Sequence, residues 1–177
     1  MDIATCRLLA RYNDWMNRKL IAAAATLPED EIDRDRGAFF GSVLGTLNHL
    51  VVADTLWLKR LAAHPACAGV LEPLRDTPMP AALDARPCAT LDALRQRREA
   101  LDALFVALCG QLEQAALDIP LEYRNSRGEP FHRPLGNLLL HVFNHQTHHR
   151  GQATTLLSQA GVDVGVTDLL ALLALLA

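Results

Sequence analysis

The chain has 177 residues, 50% of them hydrophobic and 21% charged, with a formal net charge of −3. Its 33 Leu and 27 Ala outweigh 9 Val and 4 Ile, which argues against a β-rich domain and for a helical bundle. The charge excludes the global basic footprint of a nucleic-acid binder, and the longest purely apolar run, Leu169–Ala177, is too short to span a bilayer.

Residues Met1 to Arg7 lack the charged-then-apolar pattern of a signal peptide. Cys6, Cys67, Cys88 and Cys109 are scattered, with no CxxC pair, so neither a disulfide framework nor a thiolate zinc site is expected. A cytoplasmic location, with buried reduced thiols, follows as the expectation. A first helix is predicted from Ile3 to Leu27, where Leu8, Leu9, Tyr12, Trp15, Met16 and Leu20 recur at helical steps and Pro28 stops it. Glu29 to Arg36 reads as an acidic loop. A second helix is predicted from Ser42 to Ala63, capped by Gly41 or Ser42 and ended by Pro65.

Five prolines between His64 and Thr90 predict a long irregular connection with at most a short helical turn, and a connection of that length is often functional. Thr90 is expected to cap a third helix reaching Leu117, with Leu94, Leu101, Leu104, Phe105, Leu108 and Leu112 as its apolar stripe. The basic cluster Arg95, Arg97 and Arg98, balanced by Asp92, Glu99 and Asp102, reads as a solvated face. Leu121–Arg124 and Pro130–Arg133 flank the turn-forming Asn125–Glu129 and predict a two-stranded ribbon. A fourth helix is expected from Pro134 to Ala160, ended by Gly161, and a short last helix from Thr167 or Asp168 through Leu176. No repeat or domain boundary interrupts residues 1–177, so a single all-α domain is expected.

The fourth helix carries His141, His145, His148 and His149. Two pairs have the four-residue spacing that puts both imidazoles on one face: His141 with His145, and His145 with His149. On a helical wheel with His141 at zero, His145 lies near about 40° and His149 near about 80°. Leu138, Leu156 and Val142 share that sector, so His145 and His149 point among core residues, while His141 and His148 sit at its edge. Neutral imidazole suits zinc, nickel, copper or iron. Catalytic zinc usually takes three protein ligands, and the best third is His49, inside the hydrophobic segment Leu47–Val52, where an unpaired imidazole would be costly. The alternative for His49 is a hydrogen-bonded core histidine.

Asn48, Asp54, Asn144 and Gln152 are candidate acceptors for the ligands' second ring N–H. His64 reads as a helix C-terminal cap and His132 as a surface residue of the ribbon. His145-Gln-Thr-His-His149 has the HExxH spacing, but Gln146 replaces the general-base Glu, which disfavours a zincin protease. The sole ExxH, Glu129–His132, contains Pro130, which disfavours a di-iron bundle.

Asn144-His145-x-Thr-x-His149-Arg150-Gly151-Gln152 resembles the closing motif of the DinB/YfiT-like superfamily of damage-inducible proteins. Tyr12-Asn-Asp-Trp15-Met-Asn17, Leu47-Asn-His49 and Asp54-x-x-Trp57 are similar to earlier family segments, so the resemblance covers nearly the whole chain. It implies a four-helix bundle with a long crossover connection, and a divalent metal, commonly zinc or nickel, held by His49, His145 and His149. It also implies a homodimer and, in some members, a transferase or isomerase using a low-molecular-weight thiol.

The leading expectation is a metal-dependent thiol S-transferase or isomerase acting on a small electrophilic substrate. His141, His148 and Asp54 are the candidates for a base. The alternatives are a metal-dependent hydrolase and a non-catalytic, stress-linked dimeric scaffold with a structural metal. Neither nucleic acid nor a membrane is expected as a partner.

Overall fold

The Asp2 carboxylate accepts the Thr5 amide at 2.7 Å and so caps α1 (Ile3–Ala24). The helix ends before Leu27 because the Thr26 and Leu27 amides turn back three residues, to Ala23 and Ala24. One turn, α2 (Glu29–Ile32), stands where a loop was expected; it buries Ile32 and places three acids at its N-terminus. Ser42 caps α3 (Val43–Leu61), accepting the Gly45 amide at 2.9 Å and donating to Asp33 at 2.7 Å. From Val43 to Thr55 this helix is buried on every side, which makes it the central element.

The crossover, residues 62–90, is a pegged strap with one 3-10 turn at Glu72–Leu74. Lys59 donates to the carbonyls of Leu74 and Arg75 at 3.0 Å each, and to that of Thr77. The Asn48 side chain clasps Cys88 both ways, donating to its carbonyl at 3.0 Å and accepting its amide at 2.9 Å. His64 does not cap the helix; Ala62 is the capping residue. His64 is instead buried at the start of the strap, where its Nδ1 accepts the Ala66 amide at 3.2 Å.

Thr90 caps α4 (Leu91–Gln111) by accepting the Ala93 amide at 3.2 Å. The helix stops short of the expected Leu117, for Leu112 is extended and a separate 3-10 turn follows at Gln114–Asp118. Arg7 of α1 satisfies the freed carbonyls of Cys109, Gly110 and Leu112 at 3.2, 3.3 and 3.2 Å. Strands β1 (Pro120–Arg124) and β2 (Pro130–Pro134) pair antiparallel, with Leu121 opposite Arg133. Then α5 (Leu135–Gln159) runs to a left-handed Gly161, and α6 (Leu169–Leu176) closes the fold with Leu172 buried and Leu170 and Leu175 exposed.

These elements belong to a computed structural model that describes residues 1–125 and 127–176. Ser126 of the expected turn and Ala177 of the apolar terminus lie outside the described residues. Helices α4 and α5 each pack against both α1 and α3, so α1 and α3 occupy diagonal corners of a four-helix bundle. Met16, Leu20, Leu50, Leu58, Leu101 and Phe105 fill its centre. Burial of each such side chain is worth about 1.5–3 kcal/mol, more than any exposed ion pair of the chain. Among the described residues no helix is long and apolar enough to cross a membrane.

Candidate metal centre

The packing of α3 against α5 brings His49 opposite His145 and His149. His49 Nε2 lies 3.2 Å from His145 Nε2 and 3.2 Å from His149 Nε2. Imidazole nitrogens at about 2.0–2.1 Å from a tetrahedral ion stand about 3.3 Å apart, so the two separations from His49 fit a zinc-like site, and all three ligand atoms lie within 4.8 Å of one another. Among the described residues, His49, His145 and His149 form the one group of three or more metal-binding side chains that converges this closely.

The proton positions sharpen the fit. His49 Nδ1 lies 2.8 Å from the Leu83 carbonyl, which can only accept, so Nδ1 carries the proton and Nε2 of the neutral ring is a bare lone pair. His149 Nδ1 lies 2.8 Å from Gln152 Oε1. The amide nitrogen of Gln152 faces His148 Nε2 at 3.2 Å, which orients its oxygen toward His149. His149 Nε2 is therefore also a bare lone pair. Two lone pairs that face each other at 3.2 Å repel unless a cation lies between them. Protonating one ring is opposed by the surroundings. Burial holds His49 and His149 below the ordinary histidine range, and it pushes His145 down to about 3, with the neighbouring imidazoles adding to the effect. The three histidines could therefore hold a metal ion.

A cavity of about 520 Å³ opens over the cluster, lined by Phe39, Phe40, Leu83, Asp84, His148 and Gln152. Phe40 stacks on the His49 ring at 4.0 Å and 17°. Of the two histidines at the edge of the apolar sector, His148 lines this cavity. His141 does not; it packs edge-on against Trp57 at 5.0 Å. His132 is exposed on β2 opposite Glu122.

Only Gln152 of the four expected acceptors supports a ligand ring. Asn48 is occupied by the Cys88 clasp, and Asn144 is exposed. The second acceptor, Leu83, serves through its backbone carbonyl, which no side-chain pattern announces.

Asp54 faces away from the cavity, into a buried polar network. Arg98 Nη1 lies 2.6 Å from Asp54 Oδ2, and Arg98 Nε donates to Asp102 at 3.0 Å. Asp102 also accepts from Asn13 at 2.9 Å and Asn17 at 3.0 Å. Gln146 donates to Asp54, and Arg150 donates to Asn13, to Gln146 at 3.3 Å and to Thr147 at 3.1 Å. Burial opposes the charge on Arg98, but Asp102 and Asp54 outweigh it and hold its pKa above the ordinary value. The solvated face expected at Arg95–Arg98 is thus wrong for Arg98, which is 3% exposed. The signal was present: Arg98 and Asp102 fall one turn apart within the stripe of Leu94, Leu101 and Phe105.

The family model described as DinB family matches residues 1–175. Protein DinB of Bacillus subtilis (strain 168) is 26% identical over 162 residues, which cover 90% of this chain and 88% of that protein. The crystal structure of a DinB-like protein from Bacillus cereus ATCC 10987 superposes with a TM-score of 0.55 at 22% identity, over 85% of this chain and 89% of that one. The structural likeness extends to the fold.

Proposed function

Because the chain belongs to the DinB family and three of its imidazoles converge beneath a cavity, we propose that it is a divalent-metal-dependent enzyme. Its reaction is of the thiol S-transferase or isomerase type, on a small electrophilic molecule, with zinc or nickel held by His49, His145 and His149. The observation that carries this reading is the pair of facing Nε2 lone pairs at 3.2 Å. A divalent ion held there supplies Lewis acidity, which lowers the pKa of a thiol or water that joins it.

The chain's own groups define the rest. The Leu83 carbonyl and Gln152 keep the protons of His49 and His149 on Nδ1, so both Nε2 atoms stay available. His148 and Asp84 are the titratable groups, besides the three ligands, that line the cavity. None of the four cysteines lines the cavity, so a reacting thiol comes from a co-substrate. A cavity beside the imidazoles favours catalysis over a closed structural site.

The test uses protein purified without a His tag and loaded with zinc or nickel, then incubated with glutathione, bacillithiol or mycothiol and a panel of electrophiles. Metal-dependent conjugates or isomerised products in mass spectra support the reading. Products that form without thiol indicate the hydrolase instead, and no product from the loaded protein leaves the scaffold. The homodimer implied by the family is part of the proposal, and a monomer at micromolar concentration in sedimentation analysis removes it.

A further inference from the structure

We propose that Phe39, carried on a rigid turn with Phe40, is a specificity residue of the metal cavity. It selects ligands that join a metal-binding head to a flat apolar group, such as an aromatic ring. The inference rests on the metal reading above.

Phe39 is 89% exposed and adds almost nothing to the core. A single exposed apolar residue needs no explanation, but Phe39 is not isolated. It meets Phe40 edge-on at 4.8 Å and 78°, and Phe40 stacks on the ligand ring of His49 at 4.0 Å. Phe40 also meets His149 edge-on at 5.6 Å. Leu83, 49% exposed, lines the same cavity. A continuous run of apolar surface therefore leads from solvent to the imidazole cluster.

The turn that presents Phe39 is built to stay in place. The Gly41 amide donates to the Ala38 carbonyl at 2.8 Å, closing a four-residue turn with the two phenylalanines at its centre. The Arg36 amide donates to the Gly41 carbonyl at 2.8 Å. Gly37 and Gly41 adopt left-handed backbone at φ 69° and 75°. A Cβ at Gly45 would come within 2.0 Å of the Phe40 carbonyl oxygen, so the turn lies directly on α3. Arg36 and Glu31, paired at 2.8 Å, brace it from outside. A turn held this firmly presents the exposed ring of Phe39 to a flat partner with little backbone freedom left to lose on binding.

The test compares two probes with the same metal-binding head, benzohydroxamate and acetohydroxamate, by calorimetry on zinc-loaded protein, with zinc content measured independently. The wild type should bind benzohydroxamate about tenfold more tightly than acetohydroxamate, the ratio a ring-to-ring contact supplies. Phe39→Ala should bring that ratio near unity with zinc content and melting temperature unchanged, because the side chain is outside the core. Phe39→Tyr should keep the preference, and Val106→Ala, an exposed site on α4, should not alter it. An unchanged ratio in zinc-loaded Phe39→Ala overturns the proposal and leaves the metal reading standing. Wild-type protein that takes up no zinc overturns both.

Discussion

Arg98 Nη1 and Asp54 Oδ2 lie 2.6 Å apart in the bundle interior, with Arg98 only 3% and Asp54 1% exposed. They join α4 to α3, while Asp102, Asn13 and Asn17 extend the network to α1, and Gln146 and Arg150 to α5. A buried pair is weak support for net stability, but the loss of one partner strands the other charge. Arg98→Met should therefore lower unfolding free energy by about 3–5 kcal/mol, as read by chemical denaturation. Arg95→Met, at an exposed pair with Asp92, should change it by less than about 1 kcal/mol. Equal effects would place Arg98 outside the structural role assigned to it.

Elemental analysis of protein purified without a His tag and reconstituted should give about one divalent ion per chain. His49→Ala, His145→Ala and His149→Ala should each abolish stoichiometric binding. His64→Ala removes a buried ring from the strap and should lower the melting temperature, yet keep the metal, since His64 does not join the cluster. Loss of metal in a folded His64→Ala variant would overturn the ligand assignment.

Gln152→Ala deletes the acceptor that holds the proton on His149 Nδ1. The three ligands remain, so binding should persist, with metal affinity reduced by about 10–100-fold in a chelator competition. An unchanged affinity would mean that the tautomer is fixed by other means.

Helix propensity alone favours Gly45→Ala by about 1 kcal/mol. The new Cβ would meet the Phe40 carbonyl oxygen at 2.0 Å, and backbone cannot yield as a flexible side chain does. The contact decides the sign: thermal unfolding should show a lower melting temperature. A higher one would place the Phe39–Phe40 turn farther from α3.

The four cysteines are buried, and burial pushes the Cys67 thiol up to about 12. A thiol-reactive chromophore at neutral pH should find few reactive groups in the native protein and four after denaturation. Rapid native reaction of all four would contradict their burial.

The Ala and Leu excess and the prolines of the strap made the helices and their connection legible, because propensity and proline breaks act locally. Helix ends were less legible. The α4 terminus depends on Arg7, more than a hundred residues away in sequence, which donates to its freed carbonyls. His145 and His149 were readable as a pair because one helix fixes their spacing. His49 entered as the best third ligand through its apolar setting and the family resemblance.

What the sequence determined by itself was therefore periodic: the helices, the pair on one face, and the apolar stripe that hid Arg98 and Asp102 in plain order. Tertiary structure alone decided which partner each polar group meets. It took Asp54 from the cavity to Arg98, gave the proton of His49 to the Leu83 carbonyl, and set Phe39 at the mouth of the site. Spacing along one helix follows from its covalent geometry, whereas contacts between helices and strap depend on how all their apolar faces are buried together.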